Sequence, residues 1–314
     1  MDRAPADPGP SPRRALPALL SALALTVGCS SGVDDRVAAD QPATASDRST
    51  SAAVVAPATE TAARSSSIPV PPAVDTAAVL AGLEAAADAA GGSIAAVVLD
   101  GTGAELVATP DADEPRYAAS LAKLLVVQQL LARDAAGQIT LTELDTDRMQ
   151  RALTASDDRA MSLLWDRWGG AELVTTAVDQ FGLTGTQLPT EPGQWGEVVT
   201  TARDQATFLA ALDTRLAPED VATMTSWLQS TTDRAADGFA QDFGLLSPTA
   251  GTVAPVAAKQ GWMCCVDSRR QLHSVGVLAD GRVVVLLGDF PTGTSWARAR
   301  TALETAAQTV VTGT

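Results

Sequence analysis

Strands are predicted in two places in this chain, 94–108 and 257–287, with a long helical stretch between them. In the first, apolar runs at 94–99 and 105–108 flank Asp100-Gly101-Thr102-Gly103, which predicts a β-hairpin. The second contains three runs, 257–266, 272–278 and 283–287, with Asp280-Gly281 as a hairpin turn. From Val74, apolar Ala77, Val79, Leu80, Leu83 and Ala87 recur at helical spacing up to Gly91-Gly92 and predict an opening helix. The stretch 119–135 is rich in Leu, Val, Ala and Gln with no Gly or Pro, and predicts a buried helix with Ser120 in its first turn. Further helices are predicted at 157–167, 171–181, 203–213 and 218–230, and a closing one at about 294–311. The order is helix, hairpin, helical block, three strands, helix.

Upstream the character changes. Residues 30–72 are Ala, Thr, Ser, Asp and Pro with almost no large apolar side chains, so burial cannot offset the entropy of ordering them; they read as a flexible tether. With 46% hydrophobic residues the remainder suffices for one core, and a single globular domain at 73–314, monomeric, is expected. Residues 1–29 read as a signal peptide: Arg13-Arg14 precede an apolar segment at 15–27 that is too short for a mature membrane span. It ends in Thr26-Val27-Gly28-Cys29, which resembles the lipobox of bacterial lipoproteins. That resemblance implies lipidation at Cys29 and anchoring to the cell membrane. An ordinary secretory signal is the alternative, and both put the mature protein outside the cytoplasm.

Net charge is −15 with no basic stripe, which argues against nucleic acid as a partner. Cys264-Cys265 are adjacent and read as strand residues facing opposite ways, leaving no disulfide between separated segments and no cysteine metal site. His273 is the single histidine, so neither a Ser-His-Asp triad nor a histidine metal site is expected, and it reads as a strand residue. No metal or cofactor is expected.

Only two lysines occur, Lys123 and Lys259, against 20 arginines. An arginine cannot give up its proton, so a site that needs a neutral amine cannot use one. Lys123 follows Ser120 by three positions at a helix start, which puts amine and hydroxyl on one face. A lysine desolvated in an apolar pocket can take the proton that makes a serine nucleophilic. By itself Ser-x-x-Lys suits a capping serine and a solvated lysine equally well. Thr154-Ala155-Ser156-Asp157-Asp158 offers a second hydroxyl and also suits a helix cap. Lys259-Gln260-Gly261, followed by Trp262, also suits an edge strand guarded by a lysine.

The three patterns together, in this order and on these elements, resemble the penicillin-recognising serine enzymes, most closely the class A β-lactamase fold, whose marks are S-x-x-K, S-D-N and K-T-G. The resemblance covers about 73–314 and also suggests an actinobacterial surface lipoprotein. It implies an α+β sandwich: an antiparallel sheet with flanking helices plus an all-helical block. It further implies Ser120 as the acylated nucleophile, Lys123 as its proton acceptor and Ser156 as a proton relay to the leaving nitrogen. Lys259 would hold a substrate carboxylate, and the backbone N–H groups of Ser120 and Trp262 would form an oxyanion hole beside Gly261. The substrate would be a β-lactam or a peptidoglycan-like peptide. Hydrolysis, a D,D-peptidase-like penicillin-binding role and non-catalytic binding of a cell-wall peptide or protein partner all remain open.

Three positions depart from the family pattern. Asp158 stands where the family has asparagine, and a carboxylate there can hold Lys123 protonated. Gln260 replaces a hydroxyl that helps bind the substrate carboxylate, and its amide could donate in the hydroxyl's stead. The family's deacylating glutamate falls at Glu191, with Glu197 the second candidate, on a shortened loop before Thr200.

Overall fold

A computed structural model describes residues 74–314; the readings placed on 1–73, Cys29 among them, lie outside the described residues. The opening helix α1 spans Thr76–Ala90, capped by Asp75 and closed by Gly91 at φ 67°. The hairpin follows as β1, Ser93–Leu99, and β2, Glu105–Ala108. After a short β3, Arg116–Tyr117, and a one-turn 3₁₀ helix, Ala119–Leu121, the chain enters α2, Ala122–Ala135. The helical block continues with α3, Glu143–Thr154; α4, Asp158–Trp168; and α5, Gly170–Phe181. A short β4, Val199–Thr200, pairs with β3 and leads into α6, Ala202–Ala210; α7, Leu212–Arg215; and α8, Pro218–Gln229. Then come β5, Ala257–Val266; β6, Arg269–Val277; β7, Val283–Pro291; and the closing helix α9, Trp296–Gly313.

The five-stranded sheet has the order β2-β1-β7-β6-β5 with antiparallel pairing throughout, so the two strand-forming regions of the sequence meet where β1 pairs with β7. Both faces are covered. Ile94, Ala96, Val98, Val284 and Leu286 pack toward α1 and α9, while Ala95, Val97, Val283, Val285 and Leu287 pack toward the helical block. A sheet buried on both sides needs apolar residues at every position, which is why these strands read as continuous apolar runs. The α+β architecture expected from the sequence is the one observed.

Three local expectations need correction. The helix at 119–135 begins later: Ala119 has φ 49°, a left-handed conformation no α-helix accommodates, so Ser120 occupies its own 3₁₀ turn ahead of α2. Helix α3 adds to the helices the sequence predicts; its polar sequence hides it, although Thr142 and Asp145 form a capping box at its start. Cys264 and Cys265 do not face opposite ways but are joined by a disulfide at the exposed end of β5. The strand register shifts between Cys264 and Val266, and that irregularity breaks the alternation on which the expectation rested.

Candidate active site

The serine turn is pressed against the free edge of the sheet. Strand β5 is an edge strand, and a Cβ at Gly261 would lie 3.3 Å from the carbonyl oxygen of Ala118, from Leu121 Cγ and from His273 Cδ2. The missing side chain is therefore what lets the turn approach. On the opposite side the Ala118 N–H donates to the Val198 carbonyl at 2.6 Å, tying the turn to the loop before β4. From β6, buried His273 donates through Nε2 to the Tyr117 carbonyl at 2.8 Å, since a carbonyl can only accept. Burial pushes the pKa of this histidine down to about 4.

Lys123, in the first turn of α2, is fully buried. Its Nζ lies 2.9 Å from Ser120 Oγ, 3.2 Å from Ser156 Oγ, 2.7 Å from the Ser156 carbonyl oxygen and 2.7 Å from Asp158 Oδ1. Four oxygens surround an amine with at most three N–H groups, so a hydroxyl can turn its own proton toward the nitrogen once that nitrogen is neutral. Burial lowers the lysine's pKa, and the neighbouring charge of Asp158 opposes without reversing it. Asp158, at the start of α4, has a side chain 67% exposed, so water screens its half of the pair.

Ser156 lies between α3 and α4 with φ 49°, a second non-glycine residue held in the left-handed region. This conformation aims its hydroxyl at both lysines: the Lys259 Nζ is 2.8 Å from Ser156 Oγ and donates also to the Gln260 carbonyl at 2.8 Å. Lys259 is buried, and its pKa lies well below the usual lysine value, first through burial and then through the proximity of Lys123. Asp157 caps α4 through the Ala160 N–H at 2.9 Å, fixing the segment that carries Ser156 and Asp158.

Ser120, Lys123, Ser156, Asp158 and Lys259 thus form one hydrogen-bonded cluster beside Gly261. Gln260 joins it only through its backbone carbonyl: its side-chain Nε2 donates to the carbonyls of Gln241 and Phe243, at 3.2 and 2.5 Å. The side chain is buried in that direction, so its donors are engaged away from the lysines. Trp262 is half-buried against the core under α9, stacked on Phe239 at 4.7 Å, with Nε1 donating to Asp237 at 3.1 Å. Glu191 is exposed and has no side-chain hydrogen bond among the described residues. From the same loop a residue not singled out in the sequence comes forward, Trp195, whose ring centroid is 4.9 Å from Lys123 Nζ. A single tryptophan in a Gly-rich loop carries no pattern that would have marked it. Among the described residues there is no group of three or more His, Cys, Asp or Glu that could hold a metal ion.

Residues 145–312 match the model of the β-lactamase enzyme family, a span that holds Ser156 and Lys259 and begins after Ser120 and Lys123. The chain belongs to the β-lactamase enzyme family. It is 31% identical over 204 residues to a protein of Mycobacterium tuberculosis (strain H37Rv) named "Putative lipoprotein LppW". That alignment covers 64% of this family member and 64% of the relative. Among solved structures, a β-lactamase from Sphaerobacter thermophilus superposes with a TM-score of 0.60 at 17% identity, over 76% of this chain and 97% of its own. The structure of PBP-A superposes with a TM-score of 0.58 at 16% identity, over 74% and 95%. At such identities the likeness is one of fold.

Proposed function

We propose that this β-lactamase-family protein is a serine acyltransferase or hydrolase that works through an acyl-Ser120 intermediate, on a β-lactam or a cell-wall peptide. The observation that carries this reading is the 2.9 Å contact between Ser120 Oγ and a fully buried Lys123 whose pKa burial lowers. Such a lysine is a ready proton acceptor for the hydroxyl. In the first step Oγ bonds to the carbonyl carbon as the amide C–N bond breaks. The serine proton passes to Lys123 and then, by way of Ser156 between the two amines, to the leaving nitrogen. Lys259, at the other side of Ser156, faces the substrate carboxylate, whose negative charge favours the protonated amine against the effect of burial. The free edge of β5 at Gly261-Trp262 supplies backbone donors for the oxyanion.

The Lys123–Asp158 pair is the feature that favours a non-catalytic reading, because a carboxylate stabilises the protonated amine. Burial outweighs it, and the exposed carboxylate is the weaker influence. A variant of the structural neighbour PBP-A is described as an acyl-enzyme complex with penicillin G, which supports looking for the same adduct here. The lipobox-like Thr26-Val27-Gly28-Cys29 and a relative named as a lipoprotein support lipid anchoring at Cys29 outside the cytoplasm. Intact-protein mass spectrometry after incubation with benzylpenicillin tests the reading. A mass increase of one penicillin, or consumption of the drug, lost in Ser120→Ala, is expected; a protein that neither gains mass nor consumes the drug sinks it for this substrate.

A further inference from the structure

We infer that Trp195 determines the fate of the acyl group: its ring walls the Lys123 side of the serine against water, so an acyl-Ser120 ester hydrolyses slowly. The inference rests on the acyl-Ser120 reading above. The loop that carries Trp195 is held at both ends, by the paired backbone bonds of Gln187 with Val199 at 3.0 Å and by the Ala118 N–H on Val198. Trp195 is fixed within it. Its Nε1 donates to Ser162 Oγ on α4 at 3.1 Å, its ring packs on the main core, and its face lies over the Lys123 amine.

Hydrolysis of the ester needs a water oxygen to bond to the acyl carbon as the C–Oγ bond breaks, with a proton from that water returning to Ser120. A side chain that assists must accept the water's proton, and an indole has no acceptor. A held water also needs two or more polar partners, and a ring face provides none. Of the carboxylates, Asp158 alone hydrogen-bonds Lys123, while neither Glu191 nor Glu197 makes a side-chain hydrogen bond among the described residues. What the loop presents to the lysine is an apolar ring and not a carboxylate, while Glu197, two residues on, acts on the Tyr117 hydroxyl, whose pKa burial raises and its charge helps to raise.

The test follows single-turnover decay of the benzylpenicillin adduct in the full chain by mass spectrometry, which is independent of how fast the adduct forms. A general base contributes about a hundred- to ten-thousandfold. Trp195→Glu, which places a carboxylate on this face, is therefore expected to shorten the adduct half-life by roughly tenfold or more, allowing for imperfect placement. Trp195→Ala should shorten it less, and Trp195→Phe, which keeps a ring, should keep the long lifetime and control for folding. Equal half-lives in wild type, Trp195→Glu and Trp195→Ala overturn the inference, as does rapid wild-type turnover, which would leave the acyl-Ser120 reading standing. If benzylpenicillin neither modifies the protein nor is consumed, that reading fails for this probe and a second measurement decides the shielding. Acetylation of Lys123 by acetic anhydride, quantified by peptide mass spectrometry, should rise severalfold in Trp195→Ala over wild type and Trp195→Phe; equal labelling overturns the inference.

Discussion

At the scale of single residues, burial acts against charge in the lysine–serine cluster. Lys123 and Lys259 share the Ser156 hydroxyl, and both amines have lowered pKa values chiefly because water is excluded from them. A lysine base acts above its pKa, so adduct formation should fall as pH drops through the pKa of Lys123. Asp158 holds that pKa up, and removing its charge in Asp158→Asn should move the half-maximal pH of adduct formation downward. A shift to higher pH, read from pH-dependent acylation rates, would contradict the assigned base. His273 makes a separate prediction about stability. Its pKa falls from 6.5 to about 4 on folding, so between those values the unfolded chain binds more protons and stability rises with pH. The contribution is fully present above about pH 6.5, is lost toward pH 4, and amounts to at most about 3 kcal/mol. In His273→Gln, which can still donate to the Tyr117 carbonyl, thermal melting should lose that part of its pH dependence.

At the scale of elements, the cluster exists because a strained turn meets a strand edge. Ala119 and Ser156, both at φ 49°, are held in a conformation that costs a non-glycine residue about 1–2 kcal/mol, one on each side of Lys123. The close approach at Gly261 leaves 3.3 Å to the Ala118 carbonyl and to Leu121 for any added methyl group. Gly261→Ala should therefore push the serine turn off β5. A backbone donor of the oxyanion would be displaced with it, and such a donor is worth about a hundred- to a thousandfold in rate. The expected signature is a large loss in acylation rate with a melting temperature lowered by only a few degrees. Comparable rates in variant and wild type would show that the edge of β5 takes no part.

At the scale of the whole molecule, one sheet serves two cores. Leu286 faces α1 and α9, its neighbour Leu287 faces the helical block, and both are fully buried. Leu286→Ala and Leu287→Ala should each destabilise by about 2–5 kcal/mol. Because the same strand carries both residues, denaturant unfolding should stay a single transition in each variant, and separate transitions by two probes would show that the layers fold independently. Element order was readable in the sequence because strands buried on both faces are continuous apolar runs and α2 is rich in Leu, Val and Ala with no Gly or Pro, which are local signals. So were Ser120, Lys123, Ser156 and Lys259, whose spacing and scarcity mark them before any folding is considered. Helix α3 was not, because its polar residues outweigh the few it buries. Nor was the direction in which Gln260 points, or the arrival of Trp195 over Lys123: both depend on what stands opposite them across the fold. The sequence by itself marked the groups proposed to carry the chemistry and the elements on which they ride. Only the tertiary structure decided how deeply Lys123 is buried, how far Asp158 is exposed and what covers the amine, because desolvation and screening depend on neighbours remote in the chain.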